Sequence, residues 1–364
     1  MHADERIDIV YLWVDGADPA WQARRRKALG LGAPERPAPH GDVQGRYRDN
    51  GELRFNLRAL ERFFPTHGHV FIVTDGQTPS WLRPSEGLSI VDHRALMPAA
   101  KLPVFDSGHI ESYLHHLPGL AERFIYLNDD VFFGAPVDPA VWFGPAGVAV
   151  FRERANVPAY AGPQPFESAL VNASLLSQAW LSARDPLYRH VPRIFAHSPR
   201  PMLKSALDEL ESAAPELFSQ VRSSVFRSWA VPPLLPDLVP RWLLHTGRAL
   251  ELENNGMYLR TGAADAARQF EQLRARFGRL PFFCINDTSD EAAPDAPELL
   301  QVGQNLARLL PAPSRFERAG VCSVRRRTAP YACATTAAAD IRSSISASAF
   351  LPDMPCGLSS AHSE

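Results

Sequence analysis

Asn128, Asp129 and Asp130 stand in a row between two apolar runs, residues 124–127 and 131–133. Adjacent carboxylates set among apolar side chains repel each other and lose hydration, so they call for a compensating charge. A divalent cation with hard oxygen ligands, Mg²⁺ or Mn²⁺, is one answer. A strand-end turn is the other, because Asn and Asp are turn formers. The same order recurs late in the chain, where apolar residues 281–285 run into Asn286 and Asp287. His197, in His197-Ser198-Pro199, is a candidate general base, since an unperturbed imidazole titrates near neutrality; standing alone it reads as an exposed or capping histidine. At residues 46–54, Arg46, Arg48 and Arg54 flank a helix start where Asp49 and Glu52 resemble a capping box. Free amides and guanidinium groups converging there also suit a phosphate.

These residues need elements to hold them. β-branched and aromatic runs at 7–13, 69–74, 89–91 and 124–127 read as strands. Each ends in an acidic residue: Asp15, Asp75, Asp92 and the Asp129–Asp130 pair. Helical spacing separates them. Asp18 and Pro19 open one helix that stops at Gly30, and Leu53, Leu57 and Leu60 define another. Ser107 is placed to cap a helix that sets Glu111 and His115 one turn apart. Alternating strands and helices predict an α/β fold with a mostly parallel sheet, whose ligands bind at the strands' carboxyl ends. Beyond a short apolar run at 148–151, the chain reads as helices near 166–182, 201–220 and 266–277, with one returning strand near 281–287. The expected division is an α/β core over 1–150, a more helical part over 151–318 that completes the site, and a disordered tail over 319–364.

With 38 Lys and Arg against 40 Asp and Glu, the chain has no global field to attract nucleic acid. No apolar run reaches membrane-spanning length, and the first residues lack a signal-peptide pattern, so a cytoplasmic location is expected. Four scattered cysteines give neither metal-ligand spacing nor a disulfide framework. The basic run Arg24, Arg25, Arg26 and Lys27 reads as a solvated face, with contact to an anionic polymer or lipid headgroup as the alternative.

In four blocks these motifs resemble the Stealth family, the bacterial capsular polysaccharide phosphotransferases and the catalytic part of N-acetylglucosamine-1-phosphotransferase. The blocks are residues 7–18; residues 46–55 continuing through 72–82 and 102–107 to 125–130; residues 197–199 with 226–228; and residues 284–288. Two asparagines usual in the family are Asp106 and Gly108 here. The resemblance implies a Rossmann-like, glycosyltransferase-A-like sheet flanked by helices. It implies transfer of a hexose or N-acetylhexosamine 1-phosphate from a UDP-sugar to a sugar hydroxyl, releasing UMP, in capsule or exopolysaccharide synthesis.

The implied roles follow residue by residue. Asp129, Asp130 and Asp287 would hold Mg²⁺ or Mn²⁺. Arg48 and Arg227 would grip phosphoryl oxygens and His197 would take the acceptor proton, with Asp15 beside them. Trp13, Val14 and Asp15 would hold the nucleotide, and Gly16 and Asp75 would bind substrate. Asp49, Asn50, Arg54, Glu111, His115, Asn128 and Asn286 would bind or orient substrate. The implied partners are a nucleotide-sugar donor and a glycan acceptor, with peripheral membrane or synthesis-complex association as a further expectation. A metal-dependent glycosyltransferase that releases UDP, and a non-catalytic glycan-binding protein, are the alternatives.

Overall fold

A computed structural model of the chain describes residues 6–32, 38–39, 41–287, 289–290, 292–293 and 296–319. The first half supplies strands β1 (Ile7–Leu12), β2 (Val70–Thr74), β3 (Leu88–Asp92), β4 (Arg123–Asn128), β5 (Val131–Phe133), β6 (Phe143–Gly144) and β7 (Gly147–Arg152). Between them lie helices α1 (Pro19–Leu31), α2 (Glu52–Phe63), α3 (His93–Leu96), α4 (Ser107–Glu111) and α5 (Pro139–Trp142). The second half runs α6 (Ala169–Arg184), β8 (Arg200–Leu203), α7 (Lys204–Ala213), α8 (Pro215–Val221), α9 (Leu238–His245), β9 (Ala249–Glu253), β10 (Met257–Arg260), α10 (Ala266–Arg276), β11 (Phe282–Asn286) and α11 (Pro297–Leu309).

The central sheet has the order β3-β2-β1-β4-β8. Its first four strands are parallel, with Ile9 opposite both Val70 and Ile125. The fold is therefore mixed α/β with a mostly parallel sheet, as the strand and helix alternation predicts. Ile9, Val10, Ile72, Ile125 and Leu127 are fully buried, which is what a sheet covered on both faces requires. Asp8 is the polar exception inside β1; its carboxylate accepts from the His69 and Ala121 amides and from Arg6. Two three-stranded sheets, β10-β11-β5 and β6-β7-β9, complete the layer.

Several sequence expectations need correction. Residues 200–203 are a strand rather than a helix start: β8 pairs antiparallel with β4, and the helix begins at Lys204. Pro201 hides that strand, yet as an edge residue it needs to donate nothing to the ladder. The helix around Glu111 is capped by Asp106, whose side chain accepts from Gly108, and it ends at Glu111. The 3₁₀ turn Leu114–His116 follows, so Glu111 and His115 do not share a helix face. No capping box opens α2. Its N-cap is Gly51 at φ 89°, a conformation that favours glycine. Asp49 accepts from the Gly51 amide, and Glu52 folds back to accept from the Asn50 amide. Met1–Val321 forms one compact unit. The expected tail lies, from residue 320 on, outside the described residues. Among the described residues no helix is long and apolar enough to cross a membrane.

Candidate active site at the carboxyl ends of the strands

A cavity of about 130 Å³ opens where β1, β2 and β4 end. Trp13, Val14, Asp75, Asn128 and Asp129 reach it directly from those strand ends, and Arg46, Tyr47, His93 and Arg227 close it from the loops. The segment 44–48 straps across its mouth. On one side the Gly16 amide donates to the Tyr47 carbonyl at 2.6 Å, and a Cβ on Gly16 would lie 2.4 Å from that oxygen. On the other, a Cβ on Gly45 would lie 2.7 Å from the Asp287 carbonyl. Both glycines are needed for the close approach rather than for a special backbone angle.

Carboxylates crowd the floor. Burial pushes Asp129 well above its usual range, and the charges of Asp130, Glu52 and Asp49 add to the shift. Burial, with Asp49 beside it, pushes Glu52 up to about 8. Burial, with Asp15 behind it, pushes Asp49 up to about 6. The amide oxygen of Asn128 is buried with no hydrogen-bond partner. This is an oxygen-rich set that lacks positive charge, and it fits a hard divalent cation held chiefly by Asp129. Asp15 sits at the edge, where its carboxylate accepts from the Ala17 amide and its backbone is clamped by Gln77. The Trp13 indole N–H meets no acceptor at hydrogen-bond geometry, although it lies close enough to Asp49 to lower that carboxyl.

Asp130 turns the other way. Its Oδ1 lies 3.4 Å from His197 Nε2, and its Oδ2 accepts from Asn286 at 3.2 Å and from the Cys284 thiol at 3.3 Å. Burial would raise this carboxyl, but His197, Cys284 and Asn286 outweigh it and hold Asp130 below its usual range. The same contacts leave the buried Cys284 thiol pushed well up, by burial first and by Asp130 second. Ligand atoms of Asp130, His197 and Cys284 lie within 4.8 Å of one another. Adjacent in sequence, Asp129 and Asp130 thus serve two environments, because successive residues at a strand end face opposite ways.

Positive charge stands across the cavity. Among the described residues Arg46 makes no ion pair; its side chain is exposed to the cavity, yet the protein packed around it, with Arg227 nearby, lowers it to about 10. Arg227 donates to the Ser107 hydroxyl and lies 3.8 Å from Asp106. Behind it, Glu111 accepts from Tyr126 at 2.8 Å while its second oxygen stays buried and unpartnered, and burial raises its carboxyl.

Other predicted residues are engaged elsewhere. Arg48 and Asp287 are bonded to each other at 2.6 Å. The second Asp287 oxygen accepts from the Ser289 amide and hydroxyl. Burial would raise Asp287, yet Ser289 and Arg48 hold it low. With both oxygens supplied with donors, Asp287 is an anchor in this arrangement rather than a cation ligand, and Arg48 is its counter-ion. Asn50 bridges Glu52 at 2.9 Å and Asp287 at 3.3 Å. Asp75 is clamped by Arg24 at 2.8 Å, which also accounts for part of the basic run on α1; Arg25 pairs with Asp42. Asp92 pairs with Arg94 instead of facing the crevice. The structure does not bring Arg54 or His115 to the cavity. Arg54 joins Arg58 on Glu317, and His115 bonds Glu211 on α7. Arg46 lines the cavity, although from the sequence it is only a neighbour of a helix start. Arg46 closes a 3₁₀ turn, Gln44–Arg46, and Arg48 lies just beyond it, so the two guanidinium groups part company at Tyr47.

The fold and this crevice define an α/β protein with a polar ligand cavity at its strand ends. The chain matches the family model for Stealth protein CR1, conserved region 1, over residues 5–32, and that for Stealth protein CR2, conserved region 2, over residues 46–151. It thus carries both of these Stealth conserved regions. It is 34% identical over 317 residues to an exopolysaccharide phosphotransferase of Streptomyces coelicolor, covering 86% of this chain and 33% of that protein. It is 34% identical over 324 residues to the exopolysaccharide phosphotransferase CpsY of Mycobacterium tuberculosis, covering 88% of this chain and 59% of CpsY. The chain thus spans from a third to about three fifths of the length of these relatives. Among solved structures, galactosyltransferase LgtC with donor and acceptor sugar analogues aligns over 85% of this chain and 98% of its own, at 9% identity and a TM-score of 0.39.

Proposed function

We propose that the chain is a sugar-1-phosphate transferase of exopolysaccharide or capsule synthesis. It would move a hexose or N-acetylhexosamine 1-phosphate from a UDP-sugar to a sugar hydroxyl. The observation that supports this reading is that one cavity is lined by Asp129 and by the Arg46 and Arg227 guanidinium groups, while His197 stands beside Asp130, the residue next to Asp129. A pyrophosphate needs cations on both sides, and an attacking hydroxyl needs a base.

Asp129, with Asn128 and Asp49 near it, would hold Mg²⁺ or Mn²⁺, which neutralises charge on the pyrophosphate oxygens when bound. Arg46 and Arg227 would donate to phosphoryl oxygens from the opposite wall, where a fork of N–H donors suits two oxygens at once. Trp13 and Val14 would pack on the nucleoside. With Nε2–H directed at Asp130, the free lone pair of His197 is on Nδ1, and Nδ1 would take the acceptor hydroxyl proton. The acceptor oxygen bonds to the sugar-bearing phosphorus, the bond between that phosphorus and the bridging oxygen breaks, and UMP leaves with that oxygen. Asn286 and Cys284 would keep Asp130 turned toward His197.

Mass spectrometry of the nucleotide products, from UDP-sugars with short glycan acceptors, tests this. UMP is expected, and UDP as the sole product would establish a metal-dependent glycosyltransferase instead. Asp130→Ala is expected to abolish transfer while the far-UV circular dichroism stays unchanged.

A further inference from the structure

A second cluster of potential ligands lies away from the cavity. The 3₁₀ turn Leu114–His116 presents two imidazoles whose ring centroids are 4.1 Å apart. Both Nε2 atoms point at one oxygen of Glu211 on α7, His115 at 2.6 Å and His116 at 3.0 Å. Asp208, one turn earlier on the same helix, places Oδ1 3.9 Å from His115 Nε2. Ligand atoms of His115, His116 and Asp208 all lie within 4.8 Å of one another. We propose that His115, His116, Asp208 and Glu211 form a Zn²⁺ site that clips the 114–116 turn to α7.

The donor set decides the metal. Two imidazole nitrogens and two carboxylates suit Zn²⁺, whereas Mg²⁺ favours oxygen alone. Zinc bonds of about 2.0–2.1 Å place tetrahedral ligand atoms roughly 3.3 Å apart, so the 2.6 and 3.0 Å contacts to Glu211 must open, and the 3.9 Å one to Asp208 must close, by less than about 1 Å each around an ion. An outer shell is already built. Arg222 holds Glu211 through both carboxylate oxygens, and it is itself fixed by Ser112, whose hydroxyl accepts at 3.0 Å and whose carbonyl accepts at 2.6 Å. Such outer partners fix the orientation of a ligating carboxylate. The competing cation on Asp208, Lys204 at 3.0 Å, belongs to a half-exposed pair on one helix face and is easily displaced. His115 is fully enclosed and its Nδ1 finds no partner with or without a metal, so that cost does not oppose binding.

The test uses the full untagged chain, freed of metal with a chelator, in an Asp130→Asn background that weakens the other candidate cluster. Isothermal titration with ZnCl₂ is expected to show one ion per chain and a raised thermal transition, and MgCl₂ no heat from this site. Adding His116→Ala and Asp208→Asn, both at half-exposed positions that spare the fold, is expected to weaken Zn²⁺ binding by at least about tenfold and remove the thermal gain. No Zn²⁺ binding in the Asp130→Asn chain, or binding unchanged by the added substitutions, overturns the proposal. Neither result bears on UMP release, which is measured separately.

Discussion

Two buried acidic places in this chain are built on opposite principles. At Glu317 one carboxylate faces two guanidinium groups, Arg54 at 2.5 Å and Arg58 at 2.6 Å, and also accepts from the Ser314 amide. Burial would raise Glu317, but Arg58, Ser314 and Arg54 hold it below its usual range. At the strand ends Asp129, Glu52 and Asp49 face one another with no cation among them, and all three are pushed up. The first arrangement spends its charges on holding α2 to the C-terminal segment. The second has no such partner for its carboxyls, which hold their protons more tightly instead.

The contrast is broken most strongly at Glu317. Glu317→Ala removes the buried carboxylate that Arg54 and Arg58 share, and denaturant unfolding is expected to show a loss of about 3–5 kcal/mol. Asp129→Asn removes a like charge instead. The metal-free variant is expected to melt higher than wild type, while transfer falls by roughly 10²–10³-fold because a cation ligand is gone. A variant that melts lower would show that Asp129 is paired after all.

pH sharpens the same comparison. Glu52 and Asp49 move from their ordinary 4.5 and 3.8 to about 8 and about 6 in the folded chain. The folded state therefore holds these protons more tightly than the unfolded chain. Their contribution is full below about pH 4 and is lost as pH rises through about 6 and then about 8. Glu317 has the opposite sign: its contribution is present above 4.5 and is lost as pH falls through its lowered folded value. Cation binding competes with the protons at the strand ends, so MnCl₂ is expected to raise the thermal transition more at pH 8 than at pH 6. Chelator should remove the gain. An equal gain at both pH values would place the ion elsewhere.

The sheet was largely legible because its strands are buried on both faces and read as unbroken apolar runs, as at residues 124–127 and 70–73. The Asp-bearing strand ends followed from the same reading, and Trp13, Val14, Asn128 and Asp129 do line one cavity. What stayed hidden depends on partners far apart in the chain. Arg48 and Asp287 are 239 residues apart, so no local pattern could pair them. Arg54 was drawn away by Glu317, 263 residues on. His115 was misplaced for a local reason: the spacing from Glu111 assumes a continuing helix, and the chain leaves the helix at Ser112 and re-enters a 3₁₀ turn.

The Arg48–Asp287 pair lies between the two kinds of acidic place, and it gives the smallest effect. Arg48 is part-buried, and its Nη1 donates to Asp287 at 2.6 Å and to the Ser289 hydroxyl at 3.1 Å. Arg48→Lys keeps the charge and loses part of the fork, so stability is expected to fall by about 1 kcal/mol. If the pair is an anchor of the Glu317 kind, donor KM and kcat should each stay within about threefold of wild type, because the loss appears in unfolding and not in turnover. If Arg48 instead releases Asp287 when a donor arrives and reaches a phosphoryl oxygen, the same variant melts like wild type and loses about tenfold or more in kcat/KM. The two readouts move in opposite directions, so one substitution decides which kind of site this ion pair belongs to.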